Sequence, residues 1–135
     1  YFNTFGGNPV SCAIASSVLR VVQEEKLQDN AHKVGSFLKE GLQKIAKEHP
    51  IIGDVRGQGL FLGFELINRD MKPQTDKAAY LINRMKDYGI LMSSDGPDNN
   101  VIKIKPPLVF SQDNAQEFLH YLGKVFSEDY IKSNW

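Results

Sequence analysis

The chain has 135 residues, 41% apolar and 24% charged, with 16 basic side chains balanced by 16 acidic ones, the profile of about one globular domain. That balance gives no sign of an electrostatic nucleic-acid binder, and no block of like charge forms a polybasic or acidic tail. Cys12 is the only cysteine, which excludes a disulfide framework within the chain, and the apolar runs are far too short to span a bilayer.

The elements follow in order. Asn8 and Pro9 read as N-cap and first residue of a helix whose Val10, Ile14, Val18, Val21 and Val22 recur at helical spacing. Its first turns are slim (Ser11, Ala13, Ala15), so another backbone can approach, and Cys12 is expected to be buried there. The helix fades at Glu24-Glu25-Lys26. A second helix is expected from Leu27 to Glu48, with Ala31, Val34, Leu38, Leu42 and Ile45 in its apolar stripe, ended by Pro50. The three glycines of residues 53–59 predict a tight turn between short strands. Leu60 to Ile67 alternates as a strand, with Leu60, Leu62, Phe64 and Leu66 on one face and Phe61, Gly63 and Glu65 on the other.

After a polar loop, Thr75 or Asp76 is expected to cap a third helix carrying Ala78, Leu81, Ile82 and Met85, closed by Gly89. Ile90–Met92 reads as a short strand, residues 93–100 as a turn region, and Val101–Lys105 as a further strand stopped by Pro106-Pro107. Ser111 caps a last helix through Ala115, Phe118, Leu122 and Phe126, and the tail after Ser127 reads as irregular. This order predicts an α+β domain with three or four mostly antiparallel strands and helices on one face, preceded by a connecting helix.

Three landmarks in sequence carry a family resemblance. Thr4-Phe5-Gly6-Gly7-Asn8-Pro9, Val55-Arg56-Gly57-Gln58-Gly59-Leu60 and Ile102-Lys103-Ile104-Lys105-Pro106-Pro107-Leu108 resemble, in that order, motifs of the class-III pyridoxal-phosphate (PLP) aminotransferases. Tyr1-Phe2-Asn3-Thr4 and Ser94-Asp95-Gly96-Pro97 are similar to the subgroup of alanine–glyoxylate aminotransferase-like proteins, which includes phospho-lyases acting on ethanolamine phosphate and phosphohydroxylysine. The resemblance implies the small C-terminal domain of a fold-type-I PLP enzyme. It divides the chain into residues 1–26, the end of the PLP-binding large domain with its connecting helix, and residues 27–135, the small domain. The cofactor-bearing lysine is then expected upstream of Tyr1, so the chain alone is expected to be inactive. A homodimer or larger oligomer is implied, and the cytoplasm and the mitochondrial matrix both stay open.

Two residues stand out. Thr4 precedes a glycine turn and a helix start, where free N–H groups and the helix dipole favour an anion; the resemblance makes it a contact to the PLP phosphate of a neighbouring subunit, whereas the bare sequence also allows a local cap. Lys103 occupies a position where many class-III aminotransferases carry an arginine that grips the substrate carboxylate. Lysine is a point charge and cannot reproduce that fork. Alternation sets Lys103 and Lys105 on one strand face, where they either accept a substrate phosphate or lie on a solvated surface.

Other signals are weaker. Arg56, in a glycine-rich stretch, either clamps an anion or ties the small domain together. His32, His49 and His120 lack metal-ligand spacing, and Asp95 and Asp98 read as turn formers. The reading is thus a PLP-dependent enzyme for a small amine or amino acid. Expulsion of phosphate from a phosphorylated amine competes with transfer of an amino group to pyruvate or glyoxylate, and a non-catalytic dimerisation or phosphate-contact module is the reading of another class.

Overall fold

In the computed structural model, which describes residues 2–133, Asn8 caps the first helix by accepting the Ser11 N–H at 3.0 Å. Tyr1 of the opening motif and residues 134–135 lie outside the described residues. Helix α1 runs Pro9–Glu24 and buries none of its residues. Val10, Ile14 and Val18 are exposed. Cys12, expected inside a packing helix, is exposed too, because among the described residues α1 packs mainly on the next helix.

Lys26 turns the chain in left-handed conformation (φ 51°) into α2, Leu27–Glu48. The expected boundaries and stripe hold: Val34, Leu38 and Leu42 are buried. Strands β1, Ile52–Gln58, and β2, Phe61–Leu66, follow. Here the glycines behave differently from expectation. Gly53 and Gly57 lie inside β1, and only Gly59-Leu60 forms the turn, with Gln58 opposite Phe61. Gly59 has φ +55°, as the first position of a two-residue type II′ hairpin requires.

Helix α3 spans Thr75–Asp87. Its N-cap is Gln74, not Thr75 or Asp76. Thr75 is the first helical residue, and its hydroxyl donates instead to the Asp98 carbonyl at 2.6 Å, which ties the loop around Asp98 to the helix start. Gly89 ends the helix as expected: its N–H reaches the Lys86 carbonyl and the Ile90 N–H reaches Met85, the two bonds of a Schellman closure.

Ile90–Met92 is not a strand. The pairing belongs to the polar residues just after it, β3 at Ser93–Asp95, which runs antiparallel to β4 at Val101–Ile104. Hydrophobicity marked the segment that packs, whereas the ladder needs only free N–H and C=O groups. Helix α4, Gln112–Phe126, starts at Ser111 in a capping box with Asn114. The tail forms a short helix α5, Asp129–Lys132, whose Ile131 is buried; burying such a side chain contributes about 1.5–3 kcal/mol.

The four strands form one antiparallel sheet in the order β1-β2-β4-β3. Leu62, Phe64, Leu66, Ile102 and Ile104 face helices α2, α3 and α4 in a single core, with Phe118, Leu122 and Phe126 opposite them. The other sheet face stays largely open: Arg56, Gln58, Phe61 and Asp95 are exposed. No described helix is long and apolar enough to cross a membrane.

Two polar clusters fasten the C-terminal end. Buried Lys77 donates to the carbonyls of Tyr130, Ile131 and Ser133 and lies 4.9 Å from the Tyr130 ring centre, so a cation closes the end of α5; burial holds Lys77 below the usual lysine pKa. Glu128 takes hydrogen bonds from Arg84 at 2.9–3.1 Å and from the Tyr80 hydroxyl at 2.5 Å. The Arg84 bonds above all hold the Glu128 carboxyl below its ordinary pKa, against the opposing effect of partial burial.

Two outcomes follow. A Cβ at Gly35 of α2 would stand 2.1 Å from the Gly59 carbonyl oxygen, so Gly35→Ala is expected to destabilise by about 1–3 kcal/mol, read as a lower denaturation midpoint at unchanged slope. For Glu128, whose folded pKa is depressed, the stabilisation is present above the unfolded value of about 4.3 and is lost as pH falls through the folded value. The melting temperature should therefore drop more from about pH 5 to about pH 3 in the wild type than in Glu128→Gln; equal drops would show that other carboxyl groups dominate.

Candidate functional site

The open sheet face acquires its chemistry from strand register. Arg56 pairs with Gly63, Gly63 with Lys103 and Lys103 with Ser93, so these four residues form one row on the same face. Strands lie about 4.8 Å apart, which sets the Arg56 and Lys103 backbones about 10 Å apart with only a glycine between them. Gly63, itself buried, puts no side chain in the middle of the row; a Cβ there would stand 3.0 Å from the Ile102 carbonyl oxygen. The result is a groove of about 650 Å³ walled by Arg56, Phe61, Asp95, Val101 and Lys103.

The adjoining row is acidic. Asp54 pairs with Glu65, Glu65 with Val101 and Val101 with Asp95. Its carboxylates reach back to the cations. Arg56 Nη1 donates to Asp54 Oδ2 at 2.7 Å and to Glu65 Oε2 at 3.2 Å, and the Asp54 bond leads in holding the guanidinium pKa above its usual value. Lys103 Nζ donates to Asp95 Oδ2 at 2.8 Å, while Asp95 Oδ1 accepts the Gly96 N–H at 2.9 Å. The Lys103 bond, then the Gly96 N–H, holds the Asp95 carboxyl below the ordinary carboxylate range. Asp95, read from sequence as a turn former, is thus the partner of Lys103.

All these pairs are partly or largely solvent-exposed; the Asp95 side chain is 61% exposed and that of Lys103 33%. Exposed pairs are worth little, about 0–1 kcal/mol, so an incoming anion can displace the resident carboxylate. Lys105 does not join Lys103 on the strand. It lies just beyond the end of β4, exposed, and the two lysines meet instead at a second cleft, which both line together with Leu91, Phe110 and Glu117. Two hydrogen bonds from Asn30 of α2 fix the segment after Lys105: its Nδ2 donates to the Leu108 and Phe110 carbonyls at 2.8 and 3.1 Å.

Thr4 is held elsewhere. It lies exposed in the turn before α1, where Asn8 Nδ2 donates to the Phe5 carbonyl at 2.9 Å and Gly7 has φ +74°. Thr4 does not line the sheet groove. Nor does it cap α1, since Asn8 performs that role; its hydroxyl remains available to an outside acceptor. Among the described residues no cluster of His, Cys, Asp and Glu is arranged to hold a metal ion.

Sequence reasoning missed the Arg56–Asp54–Glu65 cluster, the empty Gly63 position and the Asp95 partner. The only available signal was the alternation of β2, which puts Gly63 and Glu65 on the face opposite the core; their partners depend on pairing between distant segments.

The family described as aminotransferase class-III matches residues 2–126. Over 122 residues the chain is 52% identical to an alanine–glyoxylate aminotransferase 2-like protein of Drosophila melanogaster, covering 88% of this chain and 25% of that protein. It is 42% identical over 130 residues to ethanolamine-phosphate phospho-lyase homolog 1 of Caenorhabditis elegans, covering 94% of this chain and 28% of the relative. Among solved structures, a phospholyase from Arthrobacter in complex with phosphoethanolamine superposes with TM-score 0.88 at 38% identity, over 95% of this chain and 31% of that one. The chain spans about a quarter of the length of the curated relatives it matches.

Proposed function

Because the chain belongs to the class-III aminotransferase family, matched over residues 2–126, we propose that it forms the small-domain part of a longer PLP enzyme that expels phosphate from a small phosphorylated amine. In this reading residues 1–26 end the large domain and residues 27–135 form the small one. The observation that carries the reading is Lys103, a single ammonium facing an empty glycine position across the sheet. A compact point charge suits a phosphoryl group, which accepts hydrogen bonds in any direction, better than a planar carboxylate, which suits an arginine fork. The likeness to a phospholyase holding phosphoethanolamine supports it.

Thr4 fits a role toward the cofactor. Its exposed hydroxyl is not used by the helix cap, and it stands beside a glycine turn at a helix start, where an anion is favoured. We assign it to the cofactor phosphate of a neighbouring subunit, which makes the enzyme at least a dimer. When bound, PLP supplies the electron sink for charge developing on the substrate carbon. The described residues contribute binding and orientation: Lys103 holds the substrate anion, and Asn30 fixes the segment that follows its strand.

A second reading is an ordinary transaminase, favoured by the 52% identity to an aminotransferase-like protein. The same cofactor supports both reactions, so fold does not choose between them.

The test uses the full-length enzyme with PLP and phosphoethanolamine. Release of inorganic phosphate and ammonia in equal amounts is expected. No phosphate release, with amino transfer to pyruvate or glyoxylate, would establish the transaminase reading instead. Thr4→Ala in the same enzyme should weaken PLP retention by about 1.5–3 kcal/mol, the worth of a charge-assisted hydrogen bond; unchanged cofactor affinity would remove Thr4 from the site.

A further inference from the structure

The charges of the groove do not sum to an open cation site. Arg56 and Lys103 face Asp54, Glu65 and Asp95, and each cation already touches a carboxylate. An anion that binds Lys103 therefore meets the Asp95 carboxylate there, either displacing it or sharing the ammonium with it against its charge. This competitor is tethered: Asp95 sits at the end of β3, its neighbour Val101 pairing opposite it, two residues along β4 from Lys103. A tethered group competes at the high effective concentration that attachment gives.

Asp95 also has somewhere to go. Its second oxygen already accepts the Gly96 N–H within its own loop, and Gly96 holds φ +84°, so the carboxylate keeps a donor when Lys103 leaves it. At 61% side-chain exposure its swing into water costs little desolvation. Lys103, one-third exposed, has no other described ion-pair partner. The pair is therefore one that an anion entering the groove can open at low cost.

We infer that Asp95 is a displaceable counter-ion of Lys103 that weakens oxyanion binding in the groove and speeds the release of phosphate. The inference rests on the reading of the groove as the substrate-anion site. Asp95 returns to the ammonium as the anion departs, so Lys103 is not left bare to retain a product that carries more charge than a carboxylate. Its presence also repels whatever occupies the groove, and that repulsion grows with ligand charge. Asp95 therefore bears more heavily on a phosphate dianion than on a carboxylate monoanion. The function gained is turnover: the residue trades affinity for exit.

The experiment measures inorganic phosphate and acetate binding to the full-length holoenzyme by calorimetry, in the wild type, Asp95→Asn and Asp95→Glu, alongside steady-state kinetics. Asp95→Asn is expected to bind phosphate about threefold to tenfold more tightly, as loss of an exposed competing charge plus its repulsion predicts. Acetate should tighten less. The apparent KM and kcat should fall together as product leaves more slowly, while Asp95→Glu should recover most of the wild-type behaviour and all three proteins should melt alike. Unchanged or weaker phosphate binding to Asp95→Asn would overturn the inference and make Asp95 a residue that merely positions Lys103. The two readings fail separately. An enzyme that releases no phosphate from phosphoethanolamine, yet binds phosphate more tightly as Asp95→Asn, refutes the lyase but supports the counter-ion; phosphate release with unaltered affinity does the reverse.

Discussion

Phe64 on β2 is fully buried, opposite Val55 on one side and Ile102 on the other, with the Phe126 ring of α4 at 6.0 Å. This apolar row sets the register of three strands. A slip of one residue would turn the core face to solvent, at a cost of several buried side chains of about 1.5–3 kcal/mol each. The next row is carried along with it: Arg56, Gly63 and Lys103 are adjacent because Val55, Phe64 and Ile102 are. Core packing on one face thereby sets the chemistry of the other.

Helix α2 is the strut that holds both ends of this arrangement. Near its middle, Gly35 lets the helix approach the Gly59 turn, and one turn on, Lys39 Nζ donates to the Gly57 carbonyl at 3.0 Å, which steadies the end of β1 beyond Arg56. At its start, Asn30 holds the carbonyls of the segment beyond β4. The two strands that carry the cations are therefore referenced to one rigid element. The acidic row sits on the same strands, so a change in register would move cations and counter-ions together.

The exposed α1 contrasts with the rest. Its apolar residues recur at helical spacing, yet none is buried within the chain, while the same pattern in α2 closes a core. Periodicity identifies a face that needs covering; it does not identify the cover. The unused Thr4 hydroxyl at its N-terminal turn belongs to the same pattern of groups not satisfied by this chain.

The sequence by itself determined the local elements and the family. Asn8-Pro9, Ser111 and Gly89 cap helices through contacts within a few residues, and alternation from Leu60 to Leu66 gave β2 and its two faces. Three short motifs were enough for the class-III resemblance that the match over residues 2–126 bears out. Local signals were weakest where polar residues had two partners available: Ser93–Asp95 looked like turn and became strand, Thr75 looked like a cap and bonded Asp98, and the tail became a helix because Ile131 found the core and Lys77 its carbonyls. Only the tertiary structure decided that Lys103 meets Asp95, that Arg56 meets Asp54 and Glu65, and that Gly63 leaves the space between them. The ion pairs themselves are short in sequence, from two to nine residues; what brings the two cation clusters onto one face is the long-range pairing of β2 with β4, whose register is set by what the opposite face buries, which no reading of a single segment contains.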